Sequence, residues 1–71
     1  MTEMIYVDSS NVEAIGYDAD AQELHVQFLS SGGYYVYHDV PRHVFDAFMS
    51  APSKGSFLNR EVKGVYRFTK Q

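Results

Sequence analysis

Gly32-Gly33-Tyr34-Tyr35-Val36-Tyr37-His38-Asp39-Val40-Pro41 is the stretch whose reading decides the fold. Two glycines make a turn, the next residues are the β-branched and aromatic types that suit a pleated strand, and the proline ends the strand and opens a helix. Residues 23–29 carry the matching pattern. Leu24, Val26 and Phe28 alternate with Glu23, His25 and Gln27, the period of two that marks a half-buried strand. Upstream, residues 12–17 read as a strand with Ile15 and Tyr17 on one face and Ala14 and Gly16 on the other. Gly16 there signals a bend or a close backbone approach.

Turn lengths then set the register. A loop over residues 19–22, begun by Asp18, puts Tyr17 opposite Leu24 and Ile15 opposite Val26. A turn over residues 30–33 puts Leu29 opposite Tyr34, Phe28 opposite Tyr35 and Val26 opposite Tyr37. Opposed residues share a face, so Ile15, Tyr17, Leu24, Val26, Phe28, Tyr35 and Tyr37 fall on one side of the sheet. A second turn longer or shorter by one residue would reverse the third strand.

That apolar side needs a cover. Val44, Phe45, Phe48 and Met49 form one stripe of a helix that starts at Pro41 and ends at Ala51-Pro52. Ser53 caps a second short helix reaching about Lys63, with Phe57, Leu58, Glu61 and Val62 close together and Gly64 as its stop. Residues 65–68 are a short final strand or an extended tail, and residues 4–7 an edge strand or an ordered arm. The fold class is α+β: a three-stranded antiparallel meander followed by one or two helices packed on one sheet face. The opposite face, left open, would carry Ala14, His25, Gln27, Leu29, Tyr34, Val36 and His38.

Seventy-one residues make one domain over 1–71, with a small core and modest stability. The absence of cysteine excludes a disulfide, a thiolate metal site and a thiol nucleophile, and it fits a reducing cytoplasm. No apolar run approaches the roughly 20 residues needed to cross a bilayer. The acidic, polar start lacks the pattern of a signal peptide. Cytoplasmic location with no membrane partner is therefore expected. The net charge of −3 is unevenly spread. Residues 1–41 hold seven acids and no Lys or Arg, a net of −7, whereas residues 42–71 hold six basic residues against Asp46 and Glu61, a net of +4. Such asymmetry points to a charged partner, or to two halves that neutralise each other on packing.

Taken together, Ile15-Gly16-Tyr17-Asp18, then Leu24-x-Val26-x-Phe28, Gly33-x-Tyr35-x-Tyr37-x-x-Val40-Pro41, Ala51-x-Ser53-x-Gly55-x-Phe57-x-Asn59, Val62 and Tyr66 resemble the KTSC domain family. That family is named for its occurrence at the C-terminus of some lysyl-tRNA synthetases and also occurs as single-domain bacterial proteins. The resemblance covers roughly residues 9–67, and its central Tyr-x-Tyr falls on Tyr35 and Tyr37. It implies a binding domain of undetermined function, with RNA as the suggested partner through the synthetase association. It brings no catalytic residues.

The residues suited to RNA lie in the basic, aromatic C-terminal third. Lys54, Arg60, Lys63, Arg67 and Lys70 suit phosphate contacts, and Tyr66 suits stacking on a base. Backbone N–H groups at Ser53, Lys54 and Gly55 would add anion donors at a helix start. The bland alternative makes Phe57, Val62 and Tyr66 core and the charges a solvated surface. Tyr35 and Tyr37 invite comparison with base-stacking platforms, but the register puts them under the helix as core with hydroxyls at the rim. If the open face binds anything, Tyr34 and Val36 are its contacts, and the same face suits another protein or a second copy of the chain. His25 and His38 share that face without a third ligand at regular spacing, so no metal is expected. No nucleophile elbow, phosphate loop or dinucleotide glycine pattern is present. The expectation is a non-catalytic binding domain with no cofactor and no small-molecule substrate.

Overall fold

The alternation in residues 23–28 forms the middle strand of an antiparallel sheet that has, among the described residues, five strands in chain order. These are β1 (Met4–Tyr6), β2 (Val12–Asp18), β3 (Glu23–Phe28), β4 (Tyr34–Tyr37) and β5 (Phe68–Lys70). The computed structural model describes residues 2–71, apart from the Ser31 side chain; Met1, the first residue of the expected domain, lies outside the described residues. The α+β class with an antiparallel sheet and two helices holds, but the expected three strands are five. The two extra strands have three residues each and sit at the sheet's edges, where backbone pairing rather than alternation recruits them.

The first hairpin pairs Tyr17 with Leu24 and Ile15 with Val26, as the loop length requires. Asp18 Oδ1 accepts the N–H groups of Asp20 and Ala21 and so shapes the loop. The second hairpin differs. Gln27 pairs with Tyr34, Val26 with Tyr35 and Leu24 with Tyr37, two residues away from the expected register. Ser30–Gly32 coil into a single 3₁₀ turn, and the Phe28 N–H reaches the Gly33 carbonyl at 2.8 Å. A shift of two preserves parity, so Tyr35 and Tyr37 stay on the expected face. A bulge between Val12 and Ala14 moves Val12 onto that face as well, opposite Phe28.

Two helices cover this side. Helix α1 (Arg42–Ser50) buries Phe48 completely and packs Val44, Phe45 and Met49 around it, as the stripe requires. Phe45 stacks on Tyr17 with ring centroids 5.2 Å apart, and the Tyr17 hydroxyl donates to the Val40 carbonyl just before the helix. Helix α2 (Lys54–Phe57) begins where the Ser53 side chain accepts the Ser56 N–H at 3.3 Å. It widens into a π turn over Leu58–Val62, closed by the Lys63 N–H on the Leu58 carbonyl at 2.8 Å. Leu58 and Val62 are buried, the Phe57 ring stacks on Phe48 at 5.3 Å, and Glu61 faces solvent. Gly64, with φ of 78°, then turns the chain toward β5. No helix among the described residues is long and apolar enough to cross a membrane.

The opposite face is less open than expected. Ala14 is fully buried and Val36 is 5% exposed. Residues 2–4 lie against Gly16, where an added Cβ would stand 2.6 Å from Met4 Sδ and 2.7 Å from the Glu3 carbonyl. Leu29 belongs to the loop rather than to that face's strands.

Replacing Phe48 with Ala should cost about 3–5 kcal/mol in urea unfolding, because it empties a fully buried site and leaves the Phe57 ring with nothing to stack on. In a chain of this length total stability is about 4–11 kcal/mol, so the variant should lose a quarter or more of it and unfold at a markedly lower urea concentration. The phenols give a second expectation. Burial raises the Tyr37 hydroxyl above its ordinary range, with the Tyr35 phenol adding to it, and burial likewise raises Tyr17. A raised folded value favours the protonated form, so this contribution is complete below the unfolded value of about 10. Stability should therefore hold up to about pH 9 and fall as pH climbs through the folded values. Tyr37→Phe should lessen that fall in urea titrations taken at several alkaline pH values.

Candidate functional site

The helical cover thins toward β5. Ile15, Leu24 and Val26 are fully buried, whereas Phe68 on β5 is 56% exposed. Between them lies a groove of about 490 Å³ lined by Asn11, Phe28, Gly32, Tyr35, Tyr37, Lys63, Gly64 and Phe68. Its rings come together because strand pairing puts them there. Tyr37 is opposite Phe68, and Tyr35 stands two residues along β4 on the same face. Phe68 lies 5.4 Å from Tyr35 and 5.9 Å from Tyr37, centroid to centroid. Phe28 meets Tyr35 edge-on at 5.4 Å. Two ammonium groups sit over these rings: Lys63 Nζ 5.7 Å from the Phe28 centroid and Lys70 Nζ 5.8 Å from that of Tyr35. Among the described residues no carboxylate lines the groove. Such a surface offers π-faces to a planar ligand and two cations to its charged substituents.

The residues expected to contact RNA are dispersed. Lys63 reaches the groove. Lys54 turns back so that its ammonium donates to the Ala51 carbonyl at 2.7 Å, completing the end of α1. Arg60 pairs with its neighbour Glu61 at 3.3 Å, and Arg67 pairs with Asp39 at 3.1 Å, both in solvent. Tyr66 packs against the core cluster, in agreement with the bland alternative. At the helix start expected to supply anion donors, the Ser53 hydroxyl accepts the Ser56 N–H. Tyr37 is core, only 2% exposed, while Tyr35 is half-buried and forms the groove floor. Phe28 and Phe68 are binding candidates that the sequence reading does not supply. Their signal is the placement of 28, 35, 37 and 68 on one face; the turn lengths already put 28 with 35 and 37, and 68 joins them only once β5 is paired.

On the other side of the sheet, Glu23 lies between two imidazoles. Its Oε1 is 3.5 Å from His25 Nε2 and its Oε2 is 3.6 Å from His38 Nδ1. The second nitrogen of each ring meets a hydroxyl at 2.8 Å, that of Tyr34 for His25 and that of Thr69 for His38. Burial raises the Tyr34 phenol above its ordinary value. Among the described residues no group of three His, Cys, Asp or Glu side chains is placed to hold a metal ion.

Comparison with known proteins fits this architecture. A KTSC domain protein from Yersinia pestis, solved by crystallography, superposes with a TM-score of 0.95 at 38% identity, over 100% of this chain and 99% of its own. A protein of Tsukamurella paurometabola is 44% identical over 61 residues, which is 86% of this chain and 90% of that protein. A lysine–tRNA ligase of Nostoc punctiforme is 34% identical over 61 residues, but they make up only 11% of the ligase. The KTSC domain pattern itself matches residues 8–66. The chain thus belongs to the KTSC domain family.

Proposed function

We propose that the domain is a non-catalytic binding module that takes single-stranded RNA in the aromatic groove. The observation that carries this reading is an aromatic floor with two lysines over its rings, in a cavity whose described lining holds no carboxylate. Base stacking on such rings is worth about 1–3 kcal/mol per base and tolerates any base, because every base has a π-face. Recessed rings favour unpaired bases over a duplex, whose bases are already stacked within it. Lys63 and Lys70 supply the phosphate contacts, with Arg60 and Arg67 further out. The resemblance to part of the Nostoc ligase, an enzyme whose name couples lysine to tRNA, is consistent with an RNA partner. We assign the cytoplasm as its compartment on the same reading.

The groove's chemistry supports a non-catalytic role. Its described lining holds phenyl rings, phenols, an amide and one lysine side chain, with no carboxylate or imidazole to serve as a general base. Association through the opposite sheet face has less to work with, since Ala14 and Val36 are already buried and residues 2–4 occupy the surface at Gly16.

Titration with a single-stranded RNA hexamer at low salt should move the NMR signals of Tyr35, Tyr37, Lys63 and Phe68. Phe68→Ala should weaken binding about 5- to 150-fold, the equivalent of one stacked base. Lys63→Glu combined with Lys70→Glu should reduce the log–log salt slope by about 1.4, or about 0.7 for each phosphate no longer neutralised. RNA that leaves the groove signals in place, or that binds Phe68→Ala as it binds wild type, rules out this function.

A further inference from the structure

An aromatic floor accepts any base, so selectivity must come from a fixed polar group at its edge. Asn11 is such a group. It lines the groove, and its backbone is anchored because its carbonyl accepts the Leu29 N–H at 3.0 Å. Its side chain is held from two sides. The Ser9 hydroxyl oxygen accepts the N–H groups of Asn11 and Val12 at 3.4 and 3.2 Å, which leaves the hydroxyl proton free to donate. That proton goes to Asn11 Oδ1 at 3.1 Å. The amide lies flat against α2 at Gly55, where an added Cβ would stand 2.7 Å from Oδ1 and 2.9 Å from Nδ2.

Ser9 thereby decides which end of the amide is which. With Oδ1 taken, the NH₂ end is the free one, and among the described hydrogen bonds it donates to no protein group. We infer that Asn11 is the base-selecting residue of the groove, donating from its carboxamide NH₂ to a carbonyl on the edge of an RNA base; this rests on the groove being an RNA site. Uracil O4 and guanine O6 are such carbonyls. At the equivalent position adenine and cytosine carry an exocyclic amine instead, which sets donor against donor. A donor already ordered by Ser9 and Gly55 loses little freedom on binding, which strengthens the discrimination.

The test compares fluorescence-labelled oligouridine and oligoadenosine hexamers by anisotropy, against wild type, Asn11→Ala and Gly55→Ala. Taking the ratio of the two affinities within each protein cancels the oligomers' own stacking. In Asn11→Ala the uridine-to-adenosine ratio should fall about five- to tenfold, the worth of one polar contact left unmade, with oligoadenosine binding within about twofold of wild type. Gly55→Ala keeps α2, since Ala is a better helix former than Gly, while its methyl displaces the amide. It should lower the ratio in the same way. If wild type binds both oligomers and Asn11→Ala leaves the ratio unchanged or weakens both equally, Asn11 does not select bases, and the RNA reading stands without it. If wild type binds neither, the RNA reading fails and this inference fails with it.

Discussion

The pairing of β3 with β4 decides which rings lie under the helices, since a step of one residue would turn every β4 side chain to the other face. Tyr35 lies opposite Val26 and Tyr37 opposite Leu24, so both phenols share the side on which Phe48, Leu58 and Val62 close the core. His25, Val36 and Thr69 alternate onto the reverse side, where they meet the residue 2–4 segment or solvent. A single parity thus separates an aromatic half of the molecule from an imidazole-and-hydroxyl half. Phe68 falls into place only because β5 pairs in phase with β4.

The groove persists because its rings are partly satisfied without a ligand. Each aromatic pair contributes about 0.5–1.5 kcal/mol beyond area burial, and Phe68 makes two such contacts while Phe28 makes one with Tyr35. Exposed cation–π contacts add about 0.5–1 kcal/mol each at Lys63 and Lys70. These terms offset leaving Phe68 more than half exposed, so the rings form a stable platform rather than collapsing onto the core. The π turn contributes on the helical side. Its last bond, from Lys63 to the Leu58 carbonyl, holds the start of the segment that places the lysine beside the rings.

The central hairpins and the helices are legible in the sequence because each carries a long enough periodic signal. Residues 23–28 show three full alternations, and Val44, Phe45, Phe48 and Met49 cannot be arranged as a strand with one apolar face. Three-residue strands give no such signal, so β1 and β5 emerge only from the neighbours they pair with. The second turn misleads for a different reason. Ser-Ser-Gly-Gly looks like a four-residue closure, but Ser30 with φ of 56° and the 3₁₀ turn draw Leu29 into the loop. The candidate site is half visible: Tyr35, Tyr37 and Lys63 carry local cues. Asn11 and Phe68 carry none, because their position in the groove depends on contacts with residues far away in sequence. The expected basic cluster disperses because each arginine finds a nearby carboxylate and Lys54 finds a helix end.

Charge accounts for how an acidic chain can hold a basic groove. Sheet order follows chain order, so β1, beside Glu3 and Asp8, lies at one edge and β5, bearing Lys70, at the other. Four strand spacings separate them by about 19 Å, more than twice the Debye length of about 8 Å at physiological ionic strength. Glu3 and Asp8 are therefore largely screened from the groove, and Asp39 is paired with Arg67, while the lysines act at contact distance. Stacking a base on these rings requires the ammonium groups to leave them, at about 0.5–1 kcal/mol each. In the proposed RNA complex stacking would return about 1–3 kcal/mol per base, and the displaced lysines would turn to the phosphates on either side. The cations that cover the rings would thus have a second use, and that exchange would tie the affinity to salt.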